Sequence, residues 1–171
     1  ISGQYAGGIV GDYGGRQSLD CLVINCSNGK GIIGEGSGGI CGASYGQRIE
    51  YCYNTGDIGV GQGSGINAGG ICGKNTSSAV IKYSYNTGTI KGRYCGGILG
   101  HSSNATVFNC YSDADGTDGV DNQGGISDYM GGKIYNCWVK GDYFKIGLSH
   151  NYGGLTIKNS YYVGDASSIS N

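Results

Sequence analysis

Cysteines are the residues of this sequence with the widest range of possible chemistry, and the chain has eight of them. They form no Cys-x-x-Cys pair, and the two histidines lie far from any ordered set of cysteines, so a zinc site is not favoured. Most of the cysteines recur at equivalent places of a repeat, and repeats stacked about 4.8 Å apart bring equivalent Cα atoms within disulfide range. A stack of reduced, buried thiols is the alternative. The predicted disulfides, favoured in an extracellular compartment, are Cys26–Cys52, Cys41–Cys72 and Cys110–Cys137.

A single dense acidic run, from Asp113 to Asp121, carries four carboxylates interspersed with glycine. Carboxylate oxygens on such a loop could chelate Ca²⁺. The run is not an EF-hand, because no helical pattern flanks it and Gly124 stands where the bidentate Glu would be. Acidic residues on a solvated turn are the commoner arrangement, so we predict no metal and no cofactor, with calcium binding as the alternative.

Residues that could catalyse a reaction are not grouped along the sequence. His101 and His150 follow Ile98 and Leu148 at nearly equivalent places, and we predict that both are loop residues rather than proton shuttles. A polysaccharide lyase or hydrolase would need carboxylates or bases gathered on one face. The lysines and arginines are scattered instead, so we expect a protein that is not an enzyme.

The composition decides the fold class. Of 171 residues 38 are Gly, none is Pro and 15 are Tyr, which excludes collagen and disfavours helical bundles. The net charge is −1, from 11 basic and 12 acidic residues without a basic patch, so we expect no nucleic-acid partner. No apolar run is long enough to span a membrane, so we expect no membrane insertion. An all-β fold remains.

Internal repeats define the architecture. A first motif, Gly-Gly-Ile-x-Gly, begins at Gly7, Gly38, Gly69 and Gly96 and decays in the last two copies. Its Ile or Leu positions are spaced 31, 31, 27, 28 and 22 residues apart. Its glycines are expected to supply turns with positive φ and close approach between repeats. Each copy is followed by a second motif of the form Ile-x-Asn-Cys-Tyr, or a variant of it, that ends in Asn-Thr-Gly in two copies.

Short β-branched runs bounded by turn residues make up each repeat, and no helical pattern separates them. A unit of this size cannot bury its own apolar face, so neighbouring units must stack. We predict one parallel β-solenoid domain over residues 1–171, with about six coils of 22–31 residues and no substantial helix. Six coils would give a rod only ~30 Å long, which indicates a fragment of a longer chain.

In a solenoid, equivalent residues stack into columns. Strict alternation from Ile49 places the aromatic column of the second motif inside the coil. A bulge at the Asn/Cys step would instead turn the rings outward, where they could contact sugars or a neighbouring molecule. We expect a corner ladder of side-chain amides from Asn25, Asn109, Asn136 and Asn159. The aromatic column, here called the aromatic ladder, is the candidate ligand or self-contact surface and comprises Tyr53, Tyr85, Tyr111, Trp138 and Tyr161.

The two motifs together resemble the GLUG-motif repeats. That resemblance implies a β-solenoid scaffold of large bacterial surface proteins, including adhesin-like proteins and the non-catalytic part of some immunoglobulin A peptidases. Similar glycine-rich arrays occur in viral and microbial surface proteins. It transfers no catalytic residue to this chain.

We therefore expect a structural or adhesive segment of an extracellular, cell-surface or virion-surface protein. The segment would form a rigid rod or filament that contacts neighbouring subunits or surface ligands such as glycans. A carbohydrate-binding or polysaccharide-cleaving β-helix is the alternative, and it requires three or more carboxylates and bases in one groove.

Overall fold

The computed structural model describes residues 1–12, 21–59, 67–75, 78–116, 123–141, 147–151 and 153–164 of the chain. Within these ranges every regular element is a β-strand. None of the described residues belongs to a helix that is long and apolar enough to cross a membrane.

Most strands are two to four residues long and end at glycines or at corner residues. In chain order they are β1 (Leu22–Ile24), β2 (Ser27–Asn28), β3 (Ile32–Ile33), β4 (Cys41–Ser44), β5 (Arg48–Glu50), β6 (Tyr53–Asn54), β7 (Ile58–Gly59), β8 (Cys72–Asn75), β9 (Val80–Lys82), β10 (Tyr85–Asn86), β11 (Ile90–Lys91), β12 (Cys95–Gly96), β13 (Leu99–Phe108), β14 (Tyr111–Ser112), β15 (Gln123–Gly124), β16 (Ser127–Tyr135), β17 (Trp138–Lys140), β18 (Ser149–Asn151), β19 (Thr156–Lys158) and β20 (Tyr161–Val163).

All strand pairs are parallel and join equivalent segments of successive repeats. Sheet I has nine strands, with β1-β5-β9-β13-β16-β18 as its main order; β8 also pairs with β13, β4 with β8 and β19 with β16. Sheet II has the order β2-β6-β10-β14-β17-β20. Sheet III is β3-β7-β11 and sheet IV is β12-β15. The predicted parallel β-solenoid is therefore confirmed.

Sheet II takes one strand from each of the six repeats, and four of these strands lie between two neighbours. The solenoid thus has about four turns that are paired on both sides, and the end repeats supply the outermost of the six predicted coils. Register pairs match like with like: Tyr85 lies between Tyr53 and Tyr111, and Ile49 faces Ile81.

Columns of β-branched side chains fill the inside of the coil. The Ile of the first motif is fully buried at Ile40, Ile71, Ile98 and Ile126. A second column follows β1, β5, β9, β13 and β16, with Ile49, Ile81 and Ile134 fully buried. Burial of each such side chain contributes ~1.5–3 kcal/mol, so these columns are the main source of stability.

The paired glycines of the first motif allow close approach between coils rather than supplying positive φ. A Cβ atom on Gly39 would collide with the carbonyl oxygen of Gly70 in the next coil and with the side chain of Asn54. Positive φ falls instead on residues that precede the motif, such as Tyr5, Asn67 and Tyr94. The prediction that the paired glycines have positive φ is therefore wrong. The prediction that they allow close approach between coils is confirmed.

Candidate functional site

Each coil turns from sheet I to sheet II through one residue in the left-handed backbone conformation. The φ angles there lie between 48° and 54°. Asn is among the few residues besides Gly that adopt this conformation readily, and four of the corners use it. The following residue then points inward and the next one outward, so the corner reverses the alternation of a regular strand. These corner residues are Asn25, Tyr51, Tyr83, Asn109, Asn136 and Asn159.

This reversal decides where the aromatic ladder lies. Strict alternation predicted an internal stack, and that prediction is wrong. Tyr53, Tyr85 and Trp138 are 39%, 37% and 40% exposed, and Tyr161 is 65% exposed. Tyr111 is half-buried. The rings therefore face outward, as the alternative with a bulge at the Asn/Cys step predicted. The cause is the corner residue with positive φ.

Rings of the aromatic ladder stack face to face along the solenoid axis. The centroids of Tyr53 and Tyr85 are 5.0 Å apart with an interplanar angle of 3°, and those of Tyr111 and Trp138 are 4.7 Å apart at 12°. Between these pairs the stack is interrupted, because Tyr85 and Tyr111 are 6.2 Å apart and tilted by 39°. Tyr161 continues the column as the register partner of Trp138.

Stacking along the axis determines what the ladder presents to solvent. Within the Tyr53–Tyr85 and Tyr111–Trp138 pairs the ring faces cover each other, so each pair presents mainly ring edges to solvent. A sugar ring that stacks on an aromatic side chain needs an exposed face, and the interior of this ladder offers few.

The hydroxyl of Tyr111 stays protonated over the physiological pH range. Desolvation, reinforced by a hydrogen bond to Asp113 and the negative charge of that residue, raises the pKa of Tyr111 to about 12. Asp113 also lies 3.9 Å from the ammonium group of Lys140. The outer surface of sheet II therefore carries the neutral Tyr111 hydroxyl beside the exposed ion pair of Asp113 and Lys140.

A second aromatic stack lies on the corner itself and was missed by the sequence reasoning. The rings of Tyr51 and Tyr83 are 4.8 Å apart at an interplanar angle of 9°, and both are exposed. Phe108 contacts the edge of the Tyr83 ring at 6.0 Å and 84°. The available signal was the replacement of the corner Asn by Tyr in two successive copies. Together with the Tyr53–Tyr85 pair of the aromatic ladder, the Tyr51–Tyr83 pair gives coils two and three a double row of rings.

Directly behind the aromatic ladder lies a buried ladder of amides. The Asn28 side-chain amide donates to Oδ1 of Asn54 at 2.7 Å, and the Asn54 amide donates to Oδ1 of Asn86 at 2.7 Å. Each of these side chains also donates to the backbone carbonyl two residues later, as in the 2.6 Å bond from Asn54 to the Gly56 carbonyl. This amide ladder of Asn28, Asn54 and Asn86 fixes the strands that carry the rings.

The amide ladder predicted at the corner is wrong. Asn25, Asn136 and Asn159 are exposed and Asn109 is half-buried. These residues have φ near 50°, so their role is to allow the left-handed turn.

The cysteine columns are stacked as predicted, but all eight cysteines are free thiols. Cys41 and Cys72 are register partners, and Cys110 and Cys137 are close enough to hydrogen-bond. Burial raises the pKa of Cys41 to about 12 and raises those of Cys72 and Cys110. These thiols are therefore protonated and weakly nucleophilic. The three predicted disulfides are not formed in this structure, and their oxidation stays a prediction.

The acidic run is only partly described, since Asp118 and Asp121 lie outside the described residues. Asp113 is held near Lys140, and the Asp115 carbonyl accepts a hydrogen bond from the Ile90 amide. Among the described residues, no three His, Cys, Asp or Glu side chains are grouped closely enough to hold a metal ion. Calcium binding in this loop stays an untested alternative.

The two histidines lie on strands rather than in loops, which corrects the prediction. His101 in β13 and His150 in β18 flank Tyr129 of β16 in one column of sheet I. The His101 ring stacks on Tyr129 at 5.5 Å. Burial, together with the positive charge of Lys74, lowers the pKa of His101. The column is therefore a packed surface row in which His101 is held neutral.

Two buried polar residues were not singled out from the sequence. Asp128 is 3% exposed, and desolvation raises its pKa to about 7. It occupies the column in which earlier coils have glycines, such as Gly100. Ser44 belongs to a Gly-x-Ser-x-Gly sequence but is fully buried in β4, so it is not presented as a nucleophile.

Comparison with known families gives one match. Residues 64–91 match the GLUG motif, which confirms the predicted resemblance for this repeat. The matched segment includes the Gly-Gly-Ile-Cys-Gly copy and the Tyr-Asn-Thr-Gly copy that carries Tyr85. Neither the curated proteins nor the solved structures contain a significant match to this chain.

Proposed function

We propose that the chain is a non-catalytic, structural β-solenoid segment of an extracellular or particle-surface protein. In this proposal it forms part of a rigid rod or filament, and the aromatic ladder contacts neighbouring subunits or surface ligands. The GLUG match and the β-solenoid fold are both consistent with a structural role. Adhesion, surface location and the absence of catalysis belong to the proposal.

Rigidity is supported by the hydrogen bonding of the stack. Each interior strand of sheet II is bonded to a strand above and a strand below. The backbone bonds are reinforced by side chains, as in the amide ladder. Separation of two coils would break bonds of all the sheets together, so the segment resists local opening.

The observation that carries the contact role is the row of large rings on the solvent side of sheet II. These rings are not needed to fill the core, because Ser27 occupies the same column in the first coil. Contiguous exposed apolar residues on a folded surface usually mark an interaction site. The ring edges favour a partner that meets the ladder side-on, and another solenoid with the same rung spacing fits that requirement.

A variant of the ladder tests the contact role. Tyr53→Ser, Tyr85→Ser and Tyr111→Ser combined would remove three rings and leave the side chain that the first coil already uses. Lys91→Ser on sheet III is the matched control, because Lys91 is an exposed residue on another face.

Sedimentation velocity over a range of concentrations would measure self-association of the three chains. We expect wild type and the Lys91→Ser variant to sediment faster as concentration rises, and the ladder variant to stay monomeric. Binding of the same three chains to a glycan array would test the carbohydrate-binding alternative in parallel. Indistinguishable behaviour of the wild type and the ladder variant in both assays would refute the contact role.

A further inference from the structure

Two pairs of stacked tyrosines on coils two and three share a geometry that bears on their reactivity. In Tyr51–Tyr83 the ring centroids are 4.8 Å apart, and in Tyr53–Tyr85 they are 5.0 Å apart. The rings are parallel within 9° and 3°. All four side chains are between 37% and 51% exposed, so an oxidant in solution can reach them.

We propose that these two pairs are sites of intrachain dityrosine formation by a one-electron oxidant, such as a haem peroxidase supplied with hydrogen peroxide. Each phenol gives up one electron and one proton to become a phenoxyl radical. The two radicals couple through a new carbon–carbon bond ortho to the hydroxyls, and the rings regain aromaticity by tautomerisation. The cross-linked product has lost two hydrogen atoms, and the peroxide accepts two electrons and two protons to form two molecules of water.

The geometry favours coupling within these pairs. Parallel stacked rings place the ortho carbons of one ring over those of its neighbour, at a separation close to that of the centroids. Because the rings stand on the surface, they can tilt toward each other without disturbing the buried amide ladder. Tyrosines that meet by chance in an unfolded chain would lack this fixed register.

Both stacks lose this geometry above coil three. Phe108 follows Tyr83 and has no hydroxyl from which a phenoxyl radical could form. Tyr111 follows Tyr85 but is farther away and tilted, at 6.2 Å and 39°. Trp138, which stacks well on Tyr111, is not a phenol. The cross-links are therefore expected between coils two and three, on either side of the corner.

Such a bond would join residues 32 positions apart in the sequence and tie two adjacent coils together. It would restrict the unfolded chain in the way that a disulfide does, so the oxidised chain should unfold at a higher urea concentration. This inference rests on the stacked pairs alone and holds whether or not the contact role proposed above is correct.

Peptide mapping would identify the cross-link. The full chain, with its accessible thiols alkylated, would be treated with a haem peroxidase and limiting hydrogen peroxide and then digested with trypsin. Tyr51 and Tyr53 lie in the tryptic peptide 49–74, and Tyr83 and Tyr85 lie in 83–91. We expect these two peptides joined, with the loss of two hydrogen atoms and with dityrosine fluorescence.

An equal mixture of ¹⁴N- and ¹⁵N-labelled chains would distinguish bonds within one chain from bonds between chains. Intrachain coupling predicts joined peptides that are both light or both heavy. Joined peptides of mixed label as the main product would overturn the proposal, as would a main product that joins 83–91 to the peptide 94–133, which contains Tyr111.

Conservative variants would separate the two pairs. Tyr83→Phe should remove the first bond and Tyr85→Phe the second, and the double variant should lose the joined peptide while keeping the ring stacks. Tyr94→Phe, at a different corner of the solenoid, is the matched control and should leave the yield unchanged. The same cross-link yield in the double variant as in the wild type, or an identical product pattern from urea-unfolded chain, would also overturn the proposal.

Discussion

Two columns lie back to back on sheet II, one residue apart in the sequence, and they differ in almost every property. The inner column, represented by Asn54 and Asn86, is fully buried, and its amides bond the coils together. The outer column, represented by Tyr53 and Tyr85, is more than one-third exposed and bonds mainly through ring stacking. The comparison indicates that the fold depends on the inner column, whereas the outer column is open to a contact function.

Removal of an amide from the inner column should give the largest effect. Asn54→Ala would remove one of the two hydrogen bonds of the Asn28 amide and one of the two accepted by Oδ1 of Asn86. The buried carbonyl and amide of Gly56 would lose their bonds to Asn54 as well. Buried polar groups without partners cost about 1–3 kcal/mol each. We expect a loss of roughly 2–5 kcal/mol in the free energy of unfolding, measured by urea titration with circular dichroism. A loss below that of Tyr53→Ser would contradict the assigned roles of the two columns.

A buried polar group outside the amide ladder extends the comparison. Asp128 has a pKa of about 7 in the folded chain against 3.8 for an exposed carboxyl, with desolvation as the cause. The folded state therefore binds this proton more tightly than the unfolded state, so the contribution of Asp128 to stability is most favourable below pH 4. It should fall as the pH rises from about 4 to about 7 and then level off.

Asp128→Asn should flatten this part of the pH profile. The expected difference between pH 4 and pH 8, relative to the wild type, is between about 2 and 4 kcal/mol. Urea titrations at several pH values would measure it, and subtraction of the two profiles would cancel the other titrating groups. Parallel profiles for the two chains would contradict the burial of the Asp128 carboxyl.

Outer-column substitutions should cost much less. Tyr53→Ser removes one stacked pair, which is worth about 0.5–1.5 kcal/mol beyond area burial. The Ser27 side chain at the same place in the first coil shows that the fold accommodates this residue. Urea titration beside Asn54→Ala provides the measurement. An equal loss for the two variants would mean that the outer column is also part of the structural core.

The smallest effect is expected from alkylation of the half-buried cysteines, which should hardly change the stability. The order in which the cysteines react should follow their burial. Cys41, Cys72 and Cys95 are fully buried, and burial raises their pKa values, whereas Cys21 and Cys26 are half-buried. Iodoacetamide should therefore label Cys21 and Cys26 of the native chain first and the others only after unfolding, as peptide mass spectrometry would measure. Uniform labelling of the native chain would contradict the burial.

Alkylation of the unfolded chain before and after reduction tests the predicted disulfides. Material from an oxidising compartment should gain two alkylatable thiols per disulfide when it is reduced. Eight thiols that react after unfolding without any reductant would exclude the pairs Cys26–Cys52, Cys41–Cys72 and Cys110–Cys137.

The parallel stack could be predicted from the sequence because the apolar positions recur at nearly constant spacing. Ile40, Ile71 and Ile98 can all be buried only if their repeats lie above one another. The outward direction of Tyr53 could not be predicted in the same way, because alternation assumes a regular strand. One left-handed residue, Tyr51, reverses the order of inside and outside, and Tyr is not a residue that signals such a conformation.

Other features were missed for related reasons. Asn at a corner can serve either as a hydrogen-bonding ladder or as a left-handed residue, and the sequence does not distinguish these roles. The amide ladder formed instead at Asn54, where the side chain points inward. Asp128 interrupts a column of glycines, and only the burial of that column in the fold shows that the carboxyl is desolvated.

Distances along sheet II test the central claim, which is that like residues lie above one another in successive coils with the aromatic ladder on the outside. Spin labels carried by an unnatural amino acid at Ser27 and Tyr161 would span the outer column, and labels at Ser27 and Tyr111 would span part of it. Pulsed electron paramagnetic resonance should give narrow distributions at ~24 Å for five rungs and ~14 Å for three. Distances that do not grow in proportion to the number of rungs would contradict the account.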